Sequence, residues 1–285
     1  MKLVVISGRS GSGKSTALDL LEDLGFYCID NLPVGLLQNL LDQIQSGSSQ
    51  MQSVAVSIDA RNIQSDLANF SQIMNHLDRK QCQLEIIYLD AHTDTLLTRF
   101  SATRRKHPLT GPDVPLLEAI DREKSVLQHI ADMADLTVDT THLSMHQLRS
   151  LIKERVVQKQ GSEMSLLFES FGFKHGIPND SDLVFDVRCL ANPYWDPALR
   201  QYTGQDAPIQ AFLEGDDHVN TMFEDIDAFL TKWLPQFEAN NRTYMTVSIG
   251  CTGGQHRSVY MAERLFNAYQ DKFSNVQVRH RELNL

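Results

Sequence analysis

The chain has 285 residues, 42% of them hydrophobic and 8% aromatic, enough for two folded domains of ordinary size. Its apolar runs stop well short of a membrane span, and Cys28, Cys82, Cys189 and Cys251 form no C-x-x-C pair; this argues against a membrane protein, a structural zinc site and a disulfide framework. The first residues enter a strand rather than a signal peptide, so the expected compartment is the cytoplasm, and a formal net charge of −10 speaks against nucleic-acid binding through the global field.

Lys2 to Ile6 (KLVVI) is a short β-branched run that predicts a buried strand, and Thr16 to Leu24 has apolar residues at helical spacing. Between them stands Gly8-Arg9-Ser10-Gly11-Ser12-Gly13-Lys14-Ser15, a complete G-x-x-x-x-G-K-S loop. A strand, a glycine-rich turn and a helix N-terminus make a nest of backbone N–H groups suited to phosphate. Lys14 is expected to reach the β- and γ-phosphates of a nucleoside triphosphate, and Ser15 to hold Mg²⁺.

Val54 to Ile58, Leu84 to Leu89 and Ala134 to Val138 predict further strands, running into Asp59, Asp90 and Asp139. Leu67 to Leu77 and Leu116 to Ile130 read as helices. This alternation predicts an α/β fold: a parallel sheet with helices on both faces and ligands beyond the strands' carboxyl ends. Either Asp59 or Asp90 suits the acidic partner of Mg²⁺; the spacing does not separate them. The polar run Asp59-Ala60-Arg61-Asn62 can hydrogen-bond a base, a ribose or a second substrate, and without an N-K-x-D motif the choice of ATP or GTP stays open. In Arg99 to His107 (RFSATRRKH), Arg104 and Arg105 suit either a phosphate-covering lid or an exposed helix face.

A polar stretch over 157–163 follows a helix from about His146 and marks a boundary. It divides a phosphate-loop domain over 1–156 from a second α/β domain over 163–285. There the predicted strands are Ser165 to Phe173, Leu183 to Leu190, Met245 to Ile249 and Val276 to His280, with helices over Val219 to Leu234 and Arg257 to Lys272. Cys251-Thr252-Gly253-Gly254-Gln255-His256-Arg257-Ser258 lies between a strand and a helix with the C-x₅-R-S spacing of cysteine phosphatases. It predicts an anion pocket at a helix N-terminus; covalent chemistry at Cys251 is the lesser reading, since no general-acid aspartate loop is evident. Lys174, His175 and Arg188 are candidates to add positive charge there. Lys272, Arg279, His280 and Arg281 form a basic C-terminal cluster.

The strings SGRSGSGKS, LEDLGFYCIDNLP (21–33), FESFGFKHGIP (168–178), FDVRCLANPYWDP (185–197) and GCTGGQHRSV (250–259) resemble the RapZ/YvcJ family across nearly the whole chain. The resemblance implies two domains, a kinase-like P-loop domain and an α/β domain with an anion pocket, and binding of ATP and GTP with weak hydrolysis. It matches the family's second nucleotide segment to Asp59-Ala60-Arg61-Asn62. The family's namesake is an RNase adapter that binds the small RNAs GlmY and GlmZ and presents GlmZ to RNase E. It thereby controls glucosamine-6-phosphate synthesis, senses glucosamine-6-phosphate through the C-terminal domain, and assembles as a homotetramer. Three departures bear on these expectations. Tyr194 stands where the namesake has histidine, and Gln255 where it has lysine. The chain stops at Arg281-Glu282-Leu283-Asn284-Leu285 without a basic extension, so Lys272, Arg279, His280 and Arg281 are left as the expected RNA contacts, with weaker affinity. The alternative function is a small-molecule kinase or NTPase acting as a metabolite-sensing regulator without RNA.

Overall fold

Lys2–Gly8 forms strand β1, and Leu3, Val4, Val5 and Ile6 are all fully buried. A strand buried on both sides of its pleat must lie inside a sheet covered on both faces. In the computed structural model β1 is joined by β2 (Tyr27–Ile29), β3 (Ser53–Ser57), β4 (Gln83–Asp90) and β5 (Leu136–Asp139), all parallel, in the order β2-β3-β1-β4-β5. The structure describes residues 1–46, 52–76, 82–103, 105–157, 164–240 and 242–283. They divide into two compact units, Met1–Val157 and Gln158–Leu285.

The helices of the first unit are α1 (Lys14–Asp23), α2 (Leu37–Ser46), α3 (Gln64–Ala68), α4 (Phe70–His76), α5 (Thr93–Thr103), α6 (Leu116–Val126), α7 (Gln128–Ala131) and α8 (Met145–Ile152). The single helices expected over 67–77 and 116–130 are each broken in two. At Asn69 and Leu127 ψ opens to 9° and 1°, and the break at Leu127 turns that side chain fully into the core. Leu77 lies outside the described residues. Three elements escaped the sequence reading: β2, only three residues long, α2, although Leu37, Leu40, Leu41 and Ile44 have helical spacing, and α5.

The second unit is built on β6 (Ser165–Gly172), β7 (Leu183–Asp186), β8 (Tyr244–Cys251) and β9 (Asn275–His280), again all parallel, in the order β7-β8-β6-β9. Every residue of β6 and β8 is buried. The strand expected over 183–190 stops at Asp186, because its Oδ1 accepts the Arg188 N–H at 2.9 Å and turns the chain. Helices α9 (Ala207–Glu214), α10 (Asp217–Ala239) and α11 (Arg257–Tyr269) complete the unit; α9 was not anticipated. Residues 158–163, where the sequence boundary falls, lie outside the described residues.

The loop that leaves β2 is held from beneath. Asn62 is buried, accepts the Val34 N–H at 2.8 Å, and donates to Leu32 O at 3.1 Å and Asn31 Oδ1 at 3.3 Å. Ser57 accepts the Asn31 N–H at 2.8 Å and donates to Asp30 Oδ1 at 2.5 Å. Asn62 therefore serves the fold, and Ala60 is buried in the core beside it. Asn62→Ala leaves the buried Val34 N–H without its acceptor, and we expect a loss of about 1–3 kcal/mol in a urea titration. An unchanged midpoint would release Asn62 for a role in ligand binding.

Candidate functional site

At the carboxyl end of β1 the backbone turns through Gly8 (φ 141°), Gly11 (φ 86°) and Gly13 (φ 108°) into α1. A Cβ on Gly8 would stand 2.0 Å from Leu89 O, and one on Gly13 would stand 2.6 Å from Leu148 Cδ2, so neither position tolerates a side chain. Lys14 Nζ donates to Gly8 O at 2.7 Å and folds the lysine across the loop. Burial pushes its pKa below the usual lysine value, against the opposing charges of Glu123 and Asp59.

The loop borders a cleft of about 740 Å³, a size usual for small-molecule sites. Ser10 to Ser15, Asp59 and Arg61 line it. Gly8 and Arg9 sit behind it. Arg9 is buried, and its Nε donates to Asp90 Oδ1 at 2.6 Å, its Nη1 to Thr93 Oγ1 at 3.2 Å, and its Nη2 to Ala91 O. This pair separates the two aspartates that the sequence left equivalent: Asp90 is engaged behind the loop, whereas Asp59 faces the cleft. Asp59 accepts Arg61 N–H at 2.8 Å, Nε at 2.8 Å and Nη2 at 2.6 Å. Ala60 and Asn62 point away into the fold, so only half of the 59–62 segment reaches the cleft. Asp19, Asp30 and Thr140 also line it and were missed. Asp30 carried the one usable signal, since it ends its strand as Asp59 and Asp90 end theirs.

The basic stretch that begins in α5 and runs on past its end meets the cleft. Arg99 donates through Nη1 to Gly11 O at 3.0 Å and Thr140 Oγ1 at 3.0 Å, and through Nη2 to Thr140 O at 2.5 Å, so it braces the phosphate loop. His107 is buried, Arg105 and Lys106 line the cleft, and Arg104 lies outside the described residues.

In the second unit β8 runs into the Cys251 loop and then α11, beside a pocket of about 250 Å³. Lys174, Cys251, Thr252, Gly253, His256 and Arg257 line it, together with Asn192, Tyr194 and Gln255. Gly254 N–H donates to Cys251 Sγ at 3.2 Å, and Ser258 Oγ lies 3.1 Å from the same sulfur. Arg257 is buried. Its Nη1 donates to Arg188 O at 2.8 Å and Leu190 O at 2.9 Å, while its Nε has no partner among the described residues. A buried guanidinium N–H left over in a pocket is suited to an anion. His256 Nε2 donates to Tyr202 O at 2.8 Å, and burial, with the Arg257 charge, lowers its pKa against the pull of that bond.

Two expected contributors do not reach this pocket. His175 is exposed away from it, and the Arg188 guanidinium stacks on Phe173 at 3.9 Å and pairs with Asp186 at 2.6 Å. The C-terminal basic cluster is corrected more sharply. His280 and Arg281 are only 7% and 6% exposed. His280 bonds Ser170 and Glu263 at 2.9 Å each, and Arg281 donates to Gly176 O at 3.0 Å and His175 O at 3.2 Å. Arg279 pairs with buried Glu169 at 3.4 Å, and Lys272 with Asp227 at 3.6 Å. Side chains committed to the interior cannot grip a phosphate backbone, so His280 and Arg281 are structural.

A glycine-framed phosphate loop on the central strand of a five-stranded parallel sheet defines a P-loop nucleotide-binding protein with an α/β fold. The models of the RapZ-like N-terminal domain and the RapZ C-terminal domain match residues 1–160 and 164–284. A nucleotide-binding protein of Marinobacter nauticus is 56% identical over 285 residues, covering 99% of this chain and 97% of its own. One of Hahella chejuensis is 56% identical over 284 residues, covering 99% of each. Among solved structures, a shikimate kinase from Bacteroides thetaiotaomicron aligns over 55% of this chain and 98% of its own, at 12% identity and a TM-score of 0.37. The chain belongs to the RapZ family. Among the described residues no helix is long and apolar enough to cross a membrane.

Gly254 (φ 75°), expected in the pocket, belongs to its loop but not to its lining: a Cβ there would lie 2.3 Å from Glu282 Oε2 and 2.7 Å from Gly172 N. Gly254→Ala is expected to destabilise the protein by about 1–3 kcal/mol from backbone strain, with the clash in addition. Thermal unfolding of the full chain checks this, and an unshifted transition would mean that the loop relaxes freely.

Proposed function

We propose that the chain is a nucleotide-modulated, metabolite-sensing RNase adapter. The first unit takes ATP or GTP on the 8–15 loop, with Ser10 to Ser15 facing the phosphates and Asp59 and Arg61 facing the cleft. Ser15 and Asp59 offer hydroxyl and carboxylate oxygens, a donor set that suits Mg²⁺, which would neutralise phosphate charge there. The half-buried, cleft-facing Lys14 is the observation that carries this reading: desolvation lowers the pKa of this ammonium on a phosphate loop, and an anionic ligand beside it favours its charged form. Any ATPase or GTPase activity is expected to be weak. Lys14→Ala should lower affinity for MgATP and MgGTP by at least about tenfold in calorimetry, through loss of a charged phosphate contact. Retained affinity would remove the cleft from nucleotide binding.

The second unit is proposed to take a sugar phosphate, glucosamine-6-phosphate first, between Arg257, Lys174 and the 251–254 loop. The orphaned Arg257 N–H supports this. The adapter role, with a small RNA of GlmY or GlmZ type and RNase E as partners in a homotetramer, rests on family membership. The burial of His280 and Arg281 favours a second reading, a regulator that acts on protein targets without RNA. A salt-titrated gel shift with a structured small RNA separates the two. Under the adapter reading, binding resists competitor RNA and responds to glucosamine-6-phosphate, and that response disappears in Arg257→Ala. Absence of binding at every salt concentration leaves the second reading.

A further inference from the structure

Glu123 on α6 has no solvent exposure, and the Lys14 ammonium is a charge that balances its own. Its partners come from two separate stretches of chain. Ser10 donates to it twice, through the backbone N–H to Oε2 and through the hydroxyl to Oε1, both at 2.7 Å. His107 Nε2 stands 3.0 Å from Oε2. The Leu109 N–H donates to His107 Nδ1 at 3.1 Å, which leaves the ring proton on Nε2, directed at Glu123. Phe100 packs on the imidazole with ring centroids 5.1 Å apart. Immediately before His107, Arg105 and Lys106 line the nucleotide cleft.

We propose that Glu123 and His107 are positioning residues for nucleotide binding. Glu123, bonded to Ser10 on one side and to His107 on the other, makes the phosphate loop and the basic wall at Arg105 and Lys106 a single rigid unit. The inference rests on the nucleotide reading of the cleft and adds a role for two residues that do not line it. Both Glu123 oxygens accept, and three donors surround them. An amide at this place must turn its NH₂ toward the Ser10 hydroxyl, which then accepts instead of donating, and every bond loses its charge assistance, so even the isosteric Glu123→Gln loosens the wall from the loop. A free wall still carries its charge but no longer holds it where the phosphates sit, and the advantage of preorganisation is lost.

The test is a double-mutant cycle on the full chain, with MgATP and MgGTP as probes in titration calorimetry. In the wild-type background, Arg105→Ala with Lys106→Ala is expected to weaken binding about tenfold; in Glu123→Gln the same pair should cost less than about twofold, since coupled residues are not additive. His107→Gln, whose amide N–H can still donate to Glu123, should keep the tenfold cost, whereas His107→Leu should lose it. The two His107 variants carry the same cycle if Glu123→Gln fails to fold. An equal cost of the charge pair in every background overturns the proposal, because a merely structural Glu123 would leave additivity intact. Absence of nucleotide binding by the wild-type chain overturns it together with the nucleotide reading.

Discussion

A strand that hands over directly to a helix must turn within a few residues, and the first amides of that helix then have no partner inside it. Both units are organised around this constraint. In the first, β1 passes through Gly8, Gly11 and Gly13 into α1; in the second, β8 passes through Gly253 and Gly254 into α11. Each turn requires glycine because a neighbouring strand approaches so closely that a Cβ would collide with its end, Leu89 O at Gly8 and Gly172 N at Gly254. The parallel sheets therefore form the sites as well as support them. Pairing β4 to β1 and β6 to β8 sets the curvature of the loops, and the exposed amides follow.

Around each turn, buried polar side chains decide which functional groups face outward. Arg9 draws Asp90 behind the first loop, Arg99 ties Gly11 to Thr140, and Glu123 fixes Ser10. Lys14, Asp59 and Arg61 stay directed at the cleft, together with Asp19, Asp30, Arg105 and Lys106. In the second unit the C-terminal Glu282 accepts the Gly172 N–H at 3.1 Å, and burial raises its carboxyl pKa against the pull of that bond and of Arg281. The residues that bear charge in the sequence thus fall into two populations, those that shape the turns and those that face a ligand.

The phosphate loop and the 251–258 loop were legible because their chemistry is contiguous: one short string holds the turn, the amides and the cation. The parallel α/β architecture was legible from continuous apolar strands such as KLVVI and LEIIYL. Roles that depend on a distant partner were not. Nothing local distinguishes Asp90 from Asp59; the difference lies in Arg9, some eighty positions away from Asp90. Asn62 looks like a ligand-binding amide until Val34 and Leu32 are seen against it. The basic run at 279–281 looks like a nucleic-acid contact, since a sequence does not reveal that Ser170, Glu169 and Gly176 enclose it. The breaks at Asn69 and Leu127 were invisible for a similar reason: burial of Leu127 outweighs helix continuity.

The strand order of the second unit also governs when that unit can fold. Its inner strand β6 is flanked by β8 and β9, whereas β7 reaches the sheet only through β8. Of the elements in this unit, β6 is made first and both its neighbours are made late. While the chain emerges from a ribosome, β6 offers eight apolar-rich residues and two unpaired edges, and no hairpin can cover them because every ladder is parallel. The His280, Arg281 and Glu282 contacts that close the sheet arrive at the end. The anion pocket is therefore among the last features to form during synthesis, and a nascent chain that stalls before β9 exposes an aggregation-prone strand to the cell.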